Sequence, residues 1–111
     1  MPEKLSITGD QAVELAEMFR IVGDASRLRI ILACVGKARC VSDIAEATRL
    51  APSLVSHHLR LLRAARMLKA ERRGKLVFYA LADDHVRCVI KDMVAHVRES
   101  DPAEQRSIDG G

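Results

Sequence analysis

Val41-Ser42-Asp43-Ile44-Ala45-Glu46-Ala47-Thr48, a break at Arg49-Leu50-Ala51, and then Pro52-Ser53-Leu54-Val55-Ser56-His57-His58-Leu59-Arg60-Leu61-Leu62-Arg63 make up the stretch on which the fold turns. Ile44, Ala45 and Ala47 give the first segment the apolar positions of a short helix, with Ser42 expected as its cap. Pro52 or Ser53 then opens a second helix, because proline fits a first helical turn and serine caps one. Leu54, Val55, His58, Leu59, Leu62 and Ala65 fall on or near one side of it, while Ser53, Ser56, His57, Arg60 and Arg63 fall toward the other. Two short helices about a tight turn, the second polar and basic on its outer side, predict a helix-turn-helix.

Downstream the period changes. Leu68 and Ala70, then Arg72-Arg73-Gly74-Lys75, then Leu76-Val77-Phe78-Tyr79-Ala80-Leu81 read as strand, turn and strand. A basic hairpin directly after a helix-turn-helix is a wing, with Gly74 supplying the turn. Arg72, Arg73 and Lys75 at the tip are expected to lack apolar partners and to meet phosphates. From Ser53 to Lys75 seven basic residues stand against Glu71, an excess of six positive charges in a chain of net charge +3. The remainder is therefore net negative, which confines a nucleic-acid surface to this segment. On it, Ser53, Ser56, His57 and Arg60 are the candidates to face a major groove.

Upstream, Asp10 is expected to cap a helix whose stripe is Val13, Leu15, Ala16, Phe19 and Val22, ended by Gly23. Asp24 or Ser26 starts another, carrying Leu28, Ile31, Leu32 and Val35 as far as Gly36, with Arg27 and Arg29 expected in solvent. The fold class is thus mainly α with a small β-hairpin, a winged helix-turn-helix. Residues 1–9 read as a flexible arm, 10–99 as a DNA-binding and dimerisation domain, and 100–111 as a disordered tail. With 111 residues the core is modest, so an oligomer interface adds useful buried surface. Aromatics at 3% and the absence of Trp require an aliphatic core.

Three cysteines, Cys34, Cys40 and Cys88, form no CxxC pair and argue for reduced thiols rather than a disulfide scaffold. Cys34 and Cys88 are expected to be small buried apolar residues. No secretory leader and no apolar run long enough to cross a bilayer is evident, so the chain is expected in the cytoplasm and away from membranes. No nucleophile–base pair, phosphate loop or cofactor motif appears, which argues against an enzyme.

The last helix, from Asp83 or Asp84 to about Arg98, carries the metal-binding candidates. His85 and His96 are eleven residues apart, within roughly 20° of one another on a helix but roughly 16 Å apart along it. No metal ion bridges that distance. His96 and Glu99, three apart, converge within the helix. Asp83 and His85, two apart, converge only if Asp83 stands at or before the N-cap. In an antiparallel pair of these helices about a two-fold axis, Asp83 and His85 of one chain meet His96 and Glu99 of the other. That gives two equivalent sites per dimer. Val86, Val89, Ile90, Met93, Val94 and Val97 would form the dry seam. The donors suit zinc, cobalt or nickel.

The chain resembles the ArsR/SmtB winged-helix repressors from about Leu15 to Glu99. The resemblance is carried by Gly23-Asp24-Ala25-Ser26-Arg27-Leu28-Arg29, Cys40-Val41-Ser42-Asp43-Ile44-Ala45, Ser53-Leu54-Val55-Ser56-His57-His58-Leu59-Arg60-Leu61-Leu62 and Gly74-Lys75-Leu76-Val77-Phe78-Tyr79. It implies a repressor, dimeric through its N- and C-terminal helices, that binds operator DNA and leaves it when metal binds. The family's C-terminal-helix site falls on Asp83, His85, His96 and Glu99, and zinc is the first choice of effector, with cobalt, nickel or cadmium as others. Arg66 matches the position whose backbone carbonyl couples His96 to the DNA-binding unit. Cys40 matches a thiol of the family's other metal site and Asp43 a carboxylate beside it, but Ser42 stands where a second cysteine is usual. Two alternatives follow: a thiol-based cadmium, lead, arsenic or redox sensor using Cys40, and a constitutive architectural DNA-binding protein.

Overall fold

A computed structural model describes residues 5–99; residues 1–4 of the expected arm and the whole of the expected tail, 100–111, lie outside the described residues. Five helices and one hairpin follow in the order α1 (Gly9–Val22), α2 (Ala25–Ala33), α3 (Val41–Thr48), α4 (Pro52–Ala64), β1 (Leu68–Arg73), β2 (Leu76–Leu81) and α5 (Asp84–Glu99). The core joins Ile30 and Ile31 of α2, Ile44 of α3, Val55, Leu59 and Leu62 of α4, and Leu68 and Leu81 of the hairpin. It is aliphatic, as the composition required, and each such side chain contributes about 1.5–3 kcal/mol by leaving water.

Helix ends differ from expectation in ways the local chemistry explains. α1 begins earlier, because Thr8 rather than Asp10 is its cap. The Thr8 hydroxyl accepts from the Gln11 N–H while the Gln11 side chain accepts from the Thr8 N–H, a reciprocal capping box. Asp10 adds its charge to the first turn instead. α2 starts at the Asp24 cap, whose carboxylate accepts from the Arg27 N–H at 3.0 Å, and ends at Ala33, before Gly36. α3 has Cys40, not Ser42, at its N-cap. Pro52 opens α4 at its first turn.

Two arginines adopt left-handed backbone, Arg49 (φ 62°) after α3 and Arg66 (φ 60°) after α4. At Arg66 the Arg66 N–H donates to the Arg63 carbonyl and the Met67 N–H to the Leu62 carbonyl, so α4 closes in a Schellman turn. The hairpin pairs Leu68 with Leu81 through Arg73 with Leu76, leaving a two-residue turn, Gly74-Lys75, with Gly74 at φ +65°. Arg39 also pairs with Tyr79, tying the segment before α3 to β2.

Candidate metal centre and nucleic-acid interface

α4 separates its two faces cleanly. Val55, His58, Leu59 and Leu62 are buried, while Ser53, Ser56, His57 and Arg60 form an exposed arc on the opposite side. Leu54, expected toward the core, is exposed as well. At the wing, Arg72, Arg73 and Lys75 are all exposed. Arg73 nevertheless has partners: its guanidinium stands 4.7 Å over the Phe78 ring and pairs with Glu71 at 3.0 Å. The two-residue turn brings Phe78 within reach across the ladder, so a shorter reading of the turn would have anticipated this. Arg72 turns its Nε toward the Gly74 carbonyl at 3.3 Å. Arg49 adds an exposed cation in the turn ahead of α4 that the sequence did not single out.

The four candidate metal donors lie at the two ends of α5. Asp83 precedes the helix and caps it, its Oδ1 accepting from the Val86 N–H at 2.9 Å and its backbone carbonyl from the Arg87 N–H. It therefore stands in the non-helical position that convergence with His85 requires. Asp83, His85, His96 and Glu99 are all exposed. Among the described residues no three His, Cys, Asp or Glu of one protomer form a group that could hold a metal ion. Two nitrogen and two oxygen donors suit zinc chemically, but a single chain brings only half of them to either end.

Ile90 of α5 is buried, with Val86 and Val94 packed on the core, whereas Val89, Met93 and Val97 are exposed. Only the latter three are thus available to the seam proposed from sequence. α1 behaves likewise: Ile21 is buried, but Val13 is 71% and Phe19 66% exposed. Cys88, expected to be buried, is exposed on α5. Its position, one helical turn from His85, puts it on the outer side. Cys34 is buried, and that burial pushes its thiol up to about 11, against a smaller opposing pull from Arg39. Cys40 is buried with its Sγ 3.3 Å from the Ser42 hydroxyl, while Asp43 is exposed.

Arg66, named for its carbonyl, sends its guanidinium to Glu14 of α1, linking the end of α4 to the first helix. Arg27, expected in solvent, is half-buried: its Nε donates to the Ile21 carbonyl at 2.5 Å and its Nη1 lies 3.4 Å from His58 Nδ1. No helix among the described residues is long and apolar enough to cross a membrane.

Known proteins agree with this architecture. The family model for bacterial regulatory proteins of the arsR family matches residues 24–70. Over 100 residues, 90% of this chain and 74% of the relative, the sequence is 43% identical to a transcriptional repressor SmtB homolog of Synechocystis sp.. Over 98 residues, 86% of this chain and 80% of the relative, it is 33% identical to a cadmium resistance transcriptional regulatory protein CadC homolog of Staphylococcus aureus. Among solved structures, a homodimeric winged helix-turn-helix DNA-binding domain from Mycobacterium bovis shares the fold with a TM-score of 0.78 at 21% identity, covering 89% of this chain and 92% of that one. The chain belongs to the ArsR/SmtB family of metal-sensing winged helix-turn-helix transcriptional repressors, and is a regulator rather than an enzyme.

Proposed function

We propose that this protein is a homodimeric repressor that holds operator DNA without metal and releases it when Zn(II) fills two equivalent sites, each made by Asp83 and His85 of one protomer with His96 and Glu99 of the other. The observation that carries this reading is the distribution of donors on α5. Asp83 is the non-helical cap beside His85, His96 and Glu99 are in the last turn, and Val89 and Met93 lie exposed between the two ends. An antiparallel α5 pair covers that apolar strip and completes both sites with the same operation. The metal would supply fixed tetrahedral geometry and charge, and cobalt, nickel or cadmium could serve in the same donors.

On DNA, Ser53, Ser56, His57 and Arg60 are the groove-facing set, and Arg72, Arg73 and Lys75 the backbone-facing set. Coupling would run from His96, with one ring nitrogen on metal, through its other nitrogen to the Arg66 carbonyl at the end of α4. A coupling of about 1–3 kcal/mol is enough to lower operator affinity by roughly 5- to 150-fold. The test is a titration of the protein–operator complex with zinc, cobalt, nickel, cadmium and lead, repeated on His96→Ala. Zinc should release the parent protein and not the variant. Release of both would contradict the site, release by cadmium or lead alone would favour the Cys40 reading, and indifference to metal and chelator would favour an architectural protein.

A further inference from the structure

His58 is the one titratable side chain on the inward face of α4, among Val55, Leu59 and Leu62, and only 8% of it is exposed. Its Nδ1 meets the Arg27 guanidinium at 3.4 Å. That guanidinium also donates to the Ile21 carbonyl in the last turn of α1, while the Arg27 N–H donates to the Asp24 cap of α2. One arginine thus touches α1, α2 and α4 together. Arginine is a permanent cation without an acceptor, so the contact is a hydrogen bond only while Nδ1 keeps its lone pair, with the ring proton on Nε2.

We propose that His58 is a positioning residue for operator recognition: its neutral Nδ1 accepts from Arg27 and so sets α4 against α1 and α2, and protonation of His58 undoes that setting and weakens DNA binding with or without metal. This rests on α4 being the operator-reading helix. Burial opposes the imidazolium first, then the Arg27 charge; Asp24 favours it and His57 opposes it, and the balance holds His58 below the ordinary histidine range. Asp24, held below the usual carboxylate range chiefly by the Arg27 N–H, remains charged when His58 titrates. Because the folded-state value lies below the unfolded one, the neutral ring's contribution is complete above about pH 6.5 and is lost as pH falls. His57 lies on the outward face of α4, away from Arg27, and serves as the comparison residue.

The experiment measures operator affinity of the full chain in chelator from about pH 7.5 to about pH 5, for the parent, His58→Gln and His57→Gln. Alongside it, the His58 ring of the free parent protein is titrated by NMR. A one-proton linkage allows the parent's affinity to fall by at most about tenfold per pH unit below about pH 6.5. His58→Gln, which keeps an acceptor, should lose the acid dependence, and His57→Gln should keep a parent-like acid loss. The His58 ring should carry its neutral proton on Nε2 and titrate below about pH 6.5. An unchanged acid loss in His58→Gln, or a neutral ring protonated on Nδ1, would overturn the proposal. Should His58→Gln not fold, Arg27→Met removes the donor that Nδ1 accepts from, so operator affinity should start lower at about pH 7.5 and lose its acid dependence while the ring midpoint moves to higher pH; an acid loss as large as the parent's would overturn the proposal. No operator binding at any pH, with the ring titrating as expected, would overturn the reading of α4 itself.

Discussion

Within the α2–α3–α4 unit the helices bury Ile30 and Ile31, then Ile44, Ala45 and Thr48, then Val55, His58, Leu59 and Leu62, whereas α1 buries Ile21 alone and α5 Ile90 alone. The inner unit buries most of its apolar side chains, with Leu28, Leu32 and Leu54 left at 36–41% exposed. The outer pair leaves Val13, Phe19, Val89, Met93 and Val97 in solvent, although its hydrophobic content is no lower. In the proposed dimer a second chain covers those side chains. The histidines differ in burial along the same lines: His58 is enclosed, while His85 and His96 are exposed at opposite ends of α5.

The division is broken most severely from inside. Leu59→Ala should cost about 2–5 kcal/mol of protomer stability by leaving a cavity in a closed core, read as a lowered midpoint in chemical denaturation. Phe19→Asp and Met93→Asp should instead leave the fold recognisable by circular dichroism and raise the dimer dissociation constant in sedimentation. Loss of the fold in the α5 variant would show that the outer helices are not the separable layer described.

The wing sharpens the same contrast, Arg73 being held by a ring and a carboxylate and Arg72 only by the Gly74 carbonyl. Removing Lys75 or Arg72 should reduce the salt slope of operator binding by about 1 each. Arg73→Ala should have a smaller effect, since its guanidinium is already engaged by Phe78 and Glu71. Equal changes for all three would show that the Phe78 stack gives way on DNA.

Most of the fold was legible because periodicity reports which side of an element is apolar, and Pro52, Gly74 and Asp24 mark where elements start or turn. What periodicity does not report is whether an apolar side faces its own chain or another. Val13 and Phe19 read as one stripe with Val22 and are exposed, while Val86, Ile90 and Val94, read as seam together with Val89 and Met93, pack on their own chain's core. Thr8-x-x-Gln11 is a capping-box pattern, and its two reciprocal hydrogen bonds outweigh the single-residue preference for Asp10 as cap. Arg49 and Arg66 were not readable as left-handed, since that conformation ordinarily selects glycine or asparagine. Arg27 could not be placed either, because its partners His58 and the Ile21 carbonyl converge only in three dimensions. The four candidate donors stand out in the sequence because the two pairs lie at the two ends of one helix, and the proposed site follows from their separation along it.

The smallest effect is expected at the tie between the two layers. Glu14→Gln removes the partner of Arg66, and because both side chains are largely exposed the loss should stay below about 1 kcal/mol in denaturation. A larger loss would show that α1 is held to α4 more firmly than its burial indicates.

The central claim is that each metal site belongs to two chains, and mixing tests it directly. One variant, Asp83→Ala with His85→Ala, and another, His96→Ala with Glu99→Ala, should each bind no zinc at the α5 sites as homodimers. Combined and allowed to exchange subunits, they form a heterodimer with one site lacking all four donors and the other retaining all four. The account predicts that the mixture recovers one tight zinc per heterodimer, measured by competition with a chelating dye. A mixture that binds no more zinc than either variant alone would contradict it.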